Sequence, residues 1–63
     1  MRLVDVHARL LNMGVPTFQT SDAAATLAVG NVHASKLLAR LAAAGLLERL
    51  GRDHDVEVWT FAR

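Results

Sequence analysis

The sequence has no cysteine, only three aromatic residues and almost no net charge. Without cysteine the chain can form neither a disulfide framework nor a zinc site built on thiolates, and this fits a reducing cytoplasm. Because aromatics make up only 5% of the 63 residues, few large side chains can anchor a core. A formal net charge of +1 by itself says nothing about binding to nucleic acid.

Long apolar runs are also missing. No stretch approaches the roughly 18 consecutive apolar residues that a membrane-spanning helix needs. Asp5 and His7 interrupt the region near the N-terminus, where a secretion signal would be apolar. We therefore predict a cytoplasmic protein without a membrane segment.

The sequence has no motif for catalysis, cofactor binding or metal binding. It has no glycine-rich phosphate loop, and its serines, histidines and acids form no pattern of nucleophile, base and orienting group. Asp53, His54 and Asp55 resemble a metal cluster, but adjacent residues at a hairpin tip rarely converge on one ion. His7 has no second ligand four residues away. We predict no enzyme activity, no catalytic residue, no cofactor and no metal.

The central stretch of the chain, residues 21–45, predicts two helices with a tight turn between them. The helices are expected over 21–28 and 31–44, with Gly30 supplying a positive φ or a cap and Asn31 as the other candidate cap. Two helices joined by a short glycine-containing turn make a helix-turn-helix, whose second helix can lie in a DNA major groove. An ordinary helical hairpin with a solvated face is the alternative.

Apolar residues recur at steps of three and four along both helices, as in amphipathic helices. Seven of them are expected to point inward: Ala24, Leu27, Val29, Ala34, Leu37, Leu38 and Leu41. Ala24 and Ala28 are small, as required where two helices pass closely. The outward set at the start of the second helix is short, polar and mildly basic.

The flanking sequence completes a winged helix. A first helix is expected over 2–13, ended by Gly14 and Pro16, followed by a strand at 17–19 with Phe18 inward. Thr20 or Ser21 is expected to cap the next helix, with Asp22 favourable in its first turn. A hairpin over 46–61, with strands 46–50 and 56–61, follows the recognition helix. The order helix, strand, helix, helix, strand, strand predicts one α+β domain, a winged helix-turn-helix over 1–63.

Trp59 and Phe61 lie on the same side of the last strand. We expect this pair to face partly outward, where it would form a protein-contact surface. The alternative, that both rings close the core, stays open.

Positive charge is concentrated in one part of the chain. Between Gly30 and Arg52, four cations stand against the single acid Glu48, a local net charge of +3. Asp53 and Asp55 lie at the predicted wing tip, where acids weaken contact with phosphates. The wing is therefore expected to add little to minor-groove binding.

The segment FQTSDAAATLAVGNVHASKLLARLAAAGLLERLGR resembles the N-terminal winged-helix domain of the AbiEi-family antitoxins from bacterial type IV toxin-antitoxin systems. The likeness lies in F-x-T-x-D-A-A before the second helix and in L-x-x-L-x-x-x-G-L-L-E-R-L after the third. It implies an autoregulating repressor domain that binds operator DNA. The family's neutralising activity belongs to a separate C-terminal domain and is not carried over. Asp53 to Asp55 and Ala28, where glycine is frequent, depart from the pattern.

We therefore predict a double-stranded DNA-binding domain of a bacterial transcriptional regulator. The residues expected on base edges are Asn31, Val32, His33, Ser35 and Lys36, and those expected on phosphates are Arg40, Arg49 and Arg52. So small a domain is expected to use paired half-sites, with a homodimer, a missing C-terminal domain or a cognate toxin as possible partners. The alternative is a winged-helix module for protein interaction or dimerisation that reads no DNA.

Overall fold

The computed structural model describes residues 2–53 and 56–62, although not the side chains of Arg52 and Asp53. Its elements follow the predicted order: α1 (Leu3–Leu11), β1 (Thr17–Gln19), α2 (Thr20–Leu27), α3 (Asn31–Ala43), β2 (Leu47–Asp53) and β3 (Val56–Phe61). Three helices pack with a small three-stranded antiparallel sheet, so the predicted α+β, winged-helix arrangement is confirmed. None of the helices in the described ranges has the length and apolar character needed to cross a membrane.

The sheet has the strand order β1-β3-β2, with β3 in the middle. Trp59 of β3 pairs with Phe18 of β1 on one side and with Arg49 of β2 on the other. The next pair along β2 is Gly51 with Val58, so Leu50 is an extra residue and forms a β-bulge. Gly51 has a φ of 131°, a value that a residue with a side chain rarely adopts.

The bulge corrects the predicted limit of the wing. The Gly51 signal indicated that the strand ends at residue 50 and a turn begins, but β2 continues to Asp53. If Gly51 formed a turn, the pairing of β2 with β3 would stop there. At a β-bulge, by contrast, glycine lets the backbone accommodate one extra residue, after which the pairing continues. The connection between β2 and β3 therefore falls at residues 54–55, outside the described residues.

The core lies between the three helices and one face of the sheet. Six of the seven residues expected inward in α2 and α3 are buried, and Val29 is partly buried against them. α1 adds Val6 and Leu10, and the sheet adds Phe18, Leu47 and Trp59. The expectation that Ala28 packs between helices is wrong, because Ala28 is exposed and Ala23 is fully buried.

α2 begins one residue earlier than predicted and is capped differently. Gln19 is the N-cap residue, and its backbone N–H donates to Oδ2 of Asp22 at 3.0 Å. The carboxylate thus satisfies one donor at the helix start and complements the helix dipole, as expected for Asp22. Neither Thr20 nor Ser21 is the cap. The hydroxyl of Thr20 instead accepts a hydrogen bond from Nε1 of Trp59 at 3.0 Å.

The turn between α2 and α3 has its positive φ at Ala28, not at Gly30. Ala28 has a φ of 58° and a ψ of 44°, and the next N–H, that of Val29, donates to the carbonyl of Ala24 at 3.0 Å. This is the left-handed helix ending that glycine usually provides. Gly30 has a φ of −73° and serves as the N-cap of α3.

Candidate nucleic-acid interface

The outer face of α3 lies opposite its four buried residues. Because successive helical residues are 100° apart, Val32, Lys36, Ala39 and Ala43 form one row along this face. All four are exposed, and Val32 is 72% exposed. An exposed valine beside a lysine, followed by two small alanines, gives a narrow helix face that can approach another surface closely.

The five residues predicted to contact bases all lie in the first one and a half turns of α3. Asn31, Val32, His33 and Lys36 are exposed, and Ser35 is half-buried. They do not all point in one direction, since Asn31 and His33 lie about 100° to either side of Val32. Val32 and Lys36 therefore occupy the centre of the face, and the other three form its edges.

Positive charge on α3 is not opposed by any acid of the same helix. Lys36 and Arg40 are four residues apart and both are exposed, and α3 has no aspartate or glutamate. Gly30 provides no side-chain cap, so the N–H groups of the first turn make no hydrogen bond to a capping side chain. α3 therefore carries the positive end of its own helix dipole as well as the charges of Lys36 and Arg40, and all of these attract anionic groups.

The arginines of the wing have closer acidic neighbours. The Arg49 guanidinium lies over the Trp59 ring, 5.5 Å from its centroid, and Nη1 is 3.6 Å from Oε2 of Glu57. The side chain of Arg49 is still 55% exposed. Arg52 is the strand partner of the same Glu57. One acid is therefore paired with the Arg49 side chain and is the strand partner of Arg52, the second wing arginine predicted to contact phosphates.

The expectation that the pair Trp59 and Phe61 faces partly outward is wrong for Trp59, whereas Phe61 does remain partly exposed. Trp59 is 1% exposed, and Phe61 is partly buried, 5.5 Å from the Phe18 ring and 6.0 Å from the His7 ring between centroids. Both side chains lie on the sheet face that the helices cover, because Trp59 pairs with the inward-pointing Phe18. In a sequence with so few large side chains, these rings fill the core.

Sequence reasoning missed Glu57 as part of this surface. Glu57 is two residues from Trp59 in β3, so the sequence indicates that both side chains lie on the same face of the sheet. Whether Glu57 lies close to Arg49, however, depends on the register of β2 against β3. That register shifts at Leu50, and a bulge position cannot be read from residue alternation alone. His54 and Asp55 of the acidic tip, and with them the cluster considered for metal binding, lie outside the described residues.

Comparison with protein-family models, curated proteins and solved structures found no match to the chain. The likeness to AbiEi-family antitoxins therefore remains a prediction from the two motifs.

Proposed function

We propose that this domain binds double-stranded DNA through the outer face of α3. The observation that carries the proposal is the row of Val32, Lys36, Ala39 and Ala43, which is exposed along a helix that contains no acid. A helix that enters the major groove needs small or reading side chains at its centre and cations at its edges. α3 has this composition.

The roles follow from the chemistry of the side chains. Val32 would contact a thymine methyl group, and Lys36 would donate to guanine O6 or N7. Asn31 can read adenine from one edge, and Arg40 would contact phosphate and fix the position of the helix. His33 and Ser35 would provide further polar contacts at the edges of the groove.

The regulatory part of the proposal comes from the resemblance to AbiEi-family antitoxins. A DNA-binding domain of that type would repress its own operon in the bacterial cytoplasm, and it would use paired half-sites because one small domain covers little DNA. A C-terminal domain or a cognate toxin would be the further partner. The alternative of a protein-interaction module loses one of its supports, since Trp59 is buried and Phe61 is partly buried, but the near-zero net charge and the acidic wing tip still favour it.

The test is fluorescence anisotropy with random and promoter-derived duplexes over a series of salt concentrations. Binding should prefer one duplex and weaken with salt, with a slope of log K against log salt of about −3 if three cations contact phosphates. Lys36→Ala and Arg40→Ala should each weaken binding about tenfold, and Arg40→Ala should also reduce the salt slope by about one.

Arg2→Ala is the matched control, because it removes an exposed cation before α1 and leaves α3 unchanged. It should alter affinity by less than about twofold, through net charge alone. Equal losses in all three variants would contradict the assignment of α3 as the binding face. No binding to any duplex at low salt would contradict DNA binding itself.

A further inference from the structure

The exposed large hydrophobic residues fall into two groups. Val32 and Leu50 belong to α3 and the wing, whereas Val4, Leu11 and Val15 belong to α1 and the segment that follows it. Val4 is 65% exposed and Leu11 is 49% exposed, and the exposed Ala8 lies between them. At spacings of four and three, Val4, Ala8 and Leu11 form an apolar row that we call the α1 stripe.

The α1 stripe is distinct from the face of α1 that packs into the domain. Val6 and Leu10 are fully buried on the core side, and Leu3 packs beside them. At 100° per residue, the stripe is centred more than 100° from these residues. The domain therefore leaves a second apolar face of the same helix uncovered within the described residues.

One edge of the α1 stripe has opposite charges one turn apart. Asp5 in the first turn and Arg9 in the last are both exposed and lie on the same side of the stripe, about 90° and 130° from its centre, so the long Arg9 side chain has to bend back to reach across a contact made by the stripe. Within the described residues neither forms an ion pair at 4.0 Å or less; the ion pair found there joins Arg49 to Glu57. As far as the described part of the chain shows, both charges on this edge can pair with another surface.

We propose that the α1 stripe pairs with the α1 stripe of a second copy of the chain, with the two helices antiparallel. A two-fold axis through the middle of the stripe brings like edges of the two helices together, as required of an isologous interface. Asp5 of each copy then lies within about one residue's rise, or 1.5 Å along the axis, of the level of Arg9 in the other. The dimer then has two symmetry-related Asp5–Arg9 pairs, and Val4 faces Leu11 across the axis. In a parallel pairing, the edge with Asp5 and Arg9 would lie against the other edge of the partner's stripe, and Asp5 would not meet Arg9.

The size of the contact predicts weak association. The stripe runs over seven residues, or about 10 Å, which is well below the extent of a standard stable interface. The proposal goes beyond DNA binding and does not depend on it, because α1 and the outer face of α3 share no residue. If DNA binding is correct, the same contact would supply the second copy needed at paired half-sites.

The test is sedimentation equilibrium of the free domain without DNA, with Asp5→Arg and Arg9→Asp variants. Each variant has two like charges on the edge of the stripe, so each alone should self-associate at least about tenfold more weakly than the unchanged chain. An equal mixture of the two should associate at least as well as the unchanged chain, because every cross-pair is then of opposite sign. Leu11→Ala should also weaken association.

Glu48→Arg is the matched control, since it changes an exposed charge on β2 by the same amount as Asp5→Arg. It should leave association within about twofold of the unchanged chain. A chain that remains monomeric up to about 1 mM would overturn the proposal. So would Asp5→Arg and Arg9→Asp variants that associate as well alone as in the mixture. Because no DNA is present, either result is separate from a failure of DNA binding.

Discussion

Trp59 makes three interactions that require a large aromatic side chain with one hydrogen-bond donor. Its ring is buried in the core beside its strand partner Phe18, the Arg49 guanidinium lies over the ring, and Nε1 donates to the Thr20 hydroxyl at 3.0 Å. A buried indole N–H without a partner would cost about 1–3 kcal/mol. The first residue of α2 is therefore tied to the central strand of the sheet by one directional bond.

Ala28 is the residue at which backbone conformation and side chain are in conflict. With φ at 58°, its Cβ approaches the following carbonyl oxygen, a cost of roughly 1 kcal/mol that glycine avoids. Part of the gain is lost because glycine has more freedom in the unfolded chain. We predict that Ala28→Gly raises the free energy of unfolding by about 0.5–1 kcal/mol. Urea denaturation followed by circular dichroism would measure it.

Ala25→Gly is the matched control for this prediction. Ala25 is also exposed, but it lies within α2, where glycine costs about 0.5–1 kcal/mol relative to alanine. The same chemical change three residues apart should therefore have opposite signs. If Ala28→Gly lowers stability as much as Ala25→Gly does, Ala28 is not in the left-handed conformation.

Among the elements, α3 and the wing differ in how free their cations are. Lys36 and Arg40 lie on a helix without acids, whereas Arg49 is held between the Trp59 ring and Glu57. To bind phosphate, Arg49 would have to leave this acid or share its charge with it. α3 is thus expected to supply most of the affinity, and the wing only a part of it.

Removal of the acid should therefore strengthen DNA binding. In Glu57→Gln, Arg49 would no longer be paired with a carboxylate, and if the domain binds DNA as proposed we expect affinity to rise about threefold to tenfold with a steeper salt dependence. Fluorescence anisotropy at two salt concentrations would measure both effects. Stability should change by less than about 1 kcal/mol, because the ion pair is partly exposed.

Glu48→Gln is the control that shows whether a gain in DNA affinity comes from the release of Arg49 or only from the change in net charge. Glu48 is an exposed acid of the same hairpin, and its strand partner is Thr60. It should raise affinity by less than about twofold, since it removes the same charge without freeing Arg49. Equal gains in the two variants would mean that Glu57 does not restrain Arg49 in the free domain.

At the scale of the whole molecule, one small core holds all six elements together. At about 0.05–0.15 kcal/mol per residue, a chain of 63 residues has a free energy of unfolding of roughly 3–9 kcal/mol. Leu38 of α3 is fully buried, and truncation of a buried leucine to alanine costs about 2–5 kcal/mol. We predict that Leu38→Ala removes about half of the free energy of unfolding and clearly lowers the melting temperature, as measured by thermal denaturation.

Leu50→Ala provides the comparison. Leu50 lies at the bulge of β2 and is 57% exposed, so the same truncation should change the free energy of unfolding by no more than about 0.5 kcal/mol. Similar losses in the two variants would contradict the burial pattern of the sheet and α3.

The sequence by itself determined the element order, the α+β class and most of the core. Helical spacing in α2 and α3 identified the buried leucines, since an amphipathic helix must turn its apolar face to the core whatever it packs against. The same spacing put Val32 and Lys36 on the outer face, where the structure also has them exposed. The strand at 17–19 and the hairpin were also predictable, apart from the end of β2.

Only the tertiary structure decided which face of β3 is buried, where β2 bulges and which residues Trp59 and Glu57 meet. Alternation along a strand separates its two faces, but only the partner strands and the helices above them select the covered one. The position of the α1 stripe was decided in the same way, because α1 has apolar residues on two sides and packing covers one of them. These features depend on contacts between residues far apart in the chain, and local sequence preference does not determine such contacts.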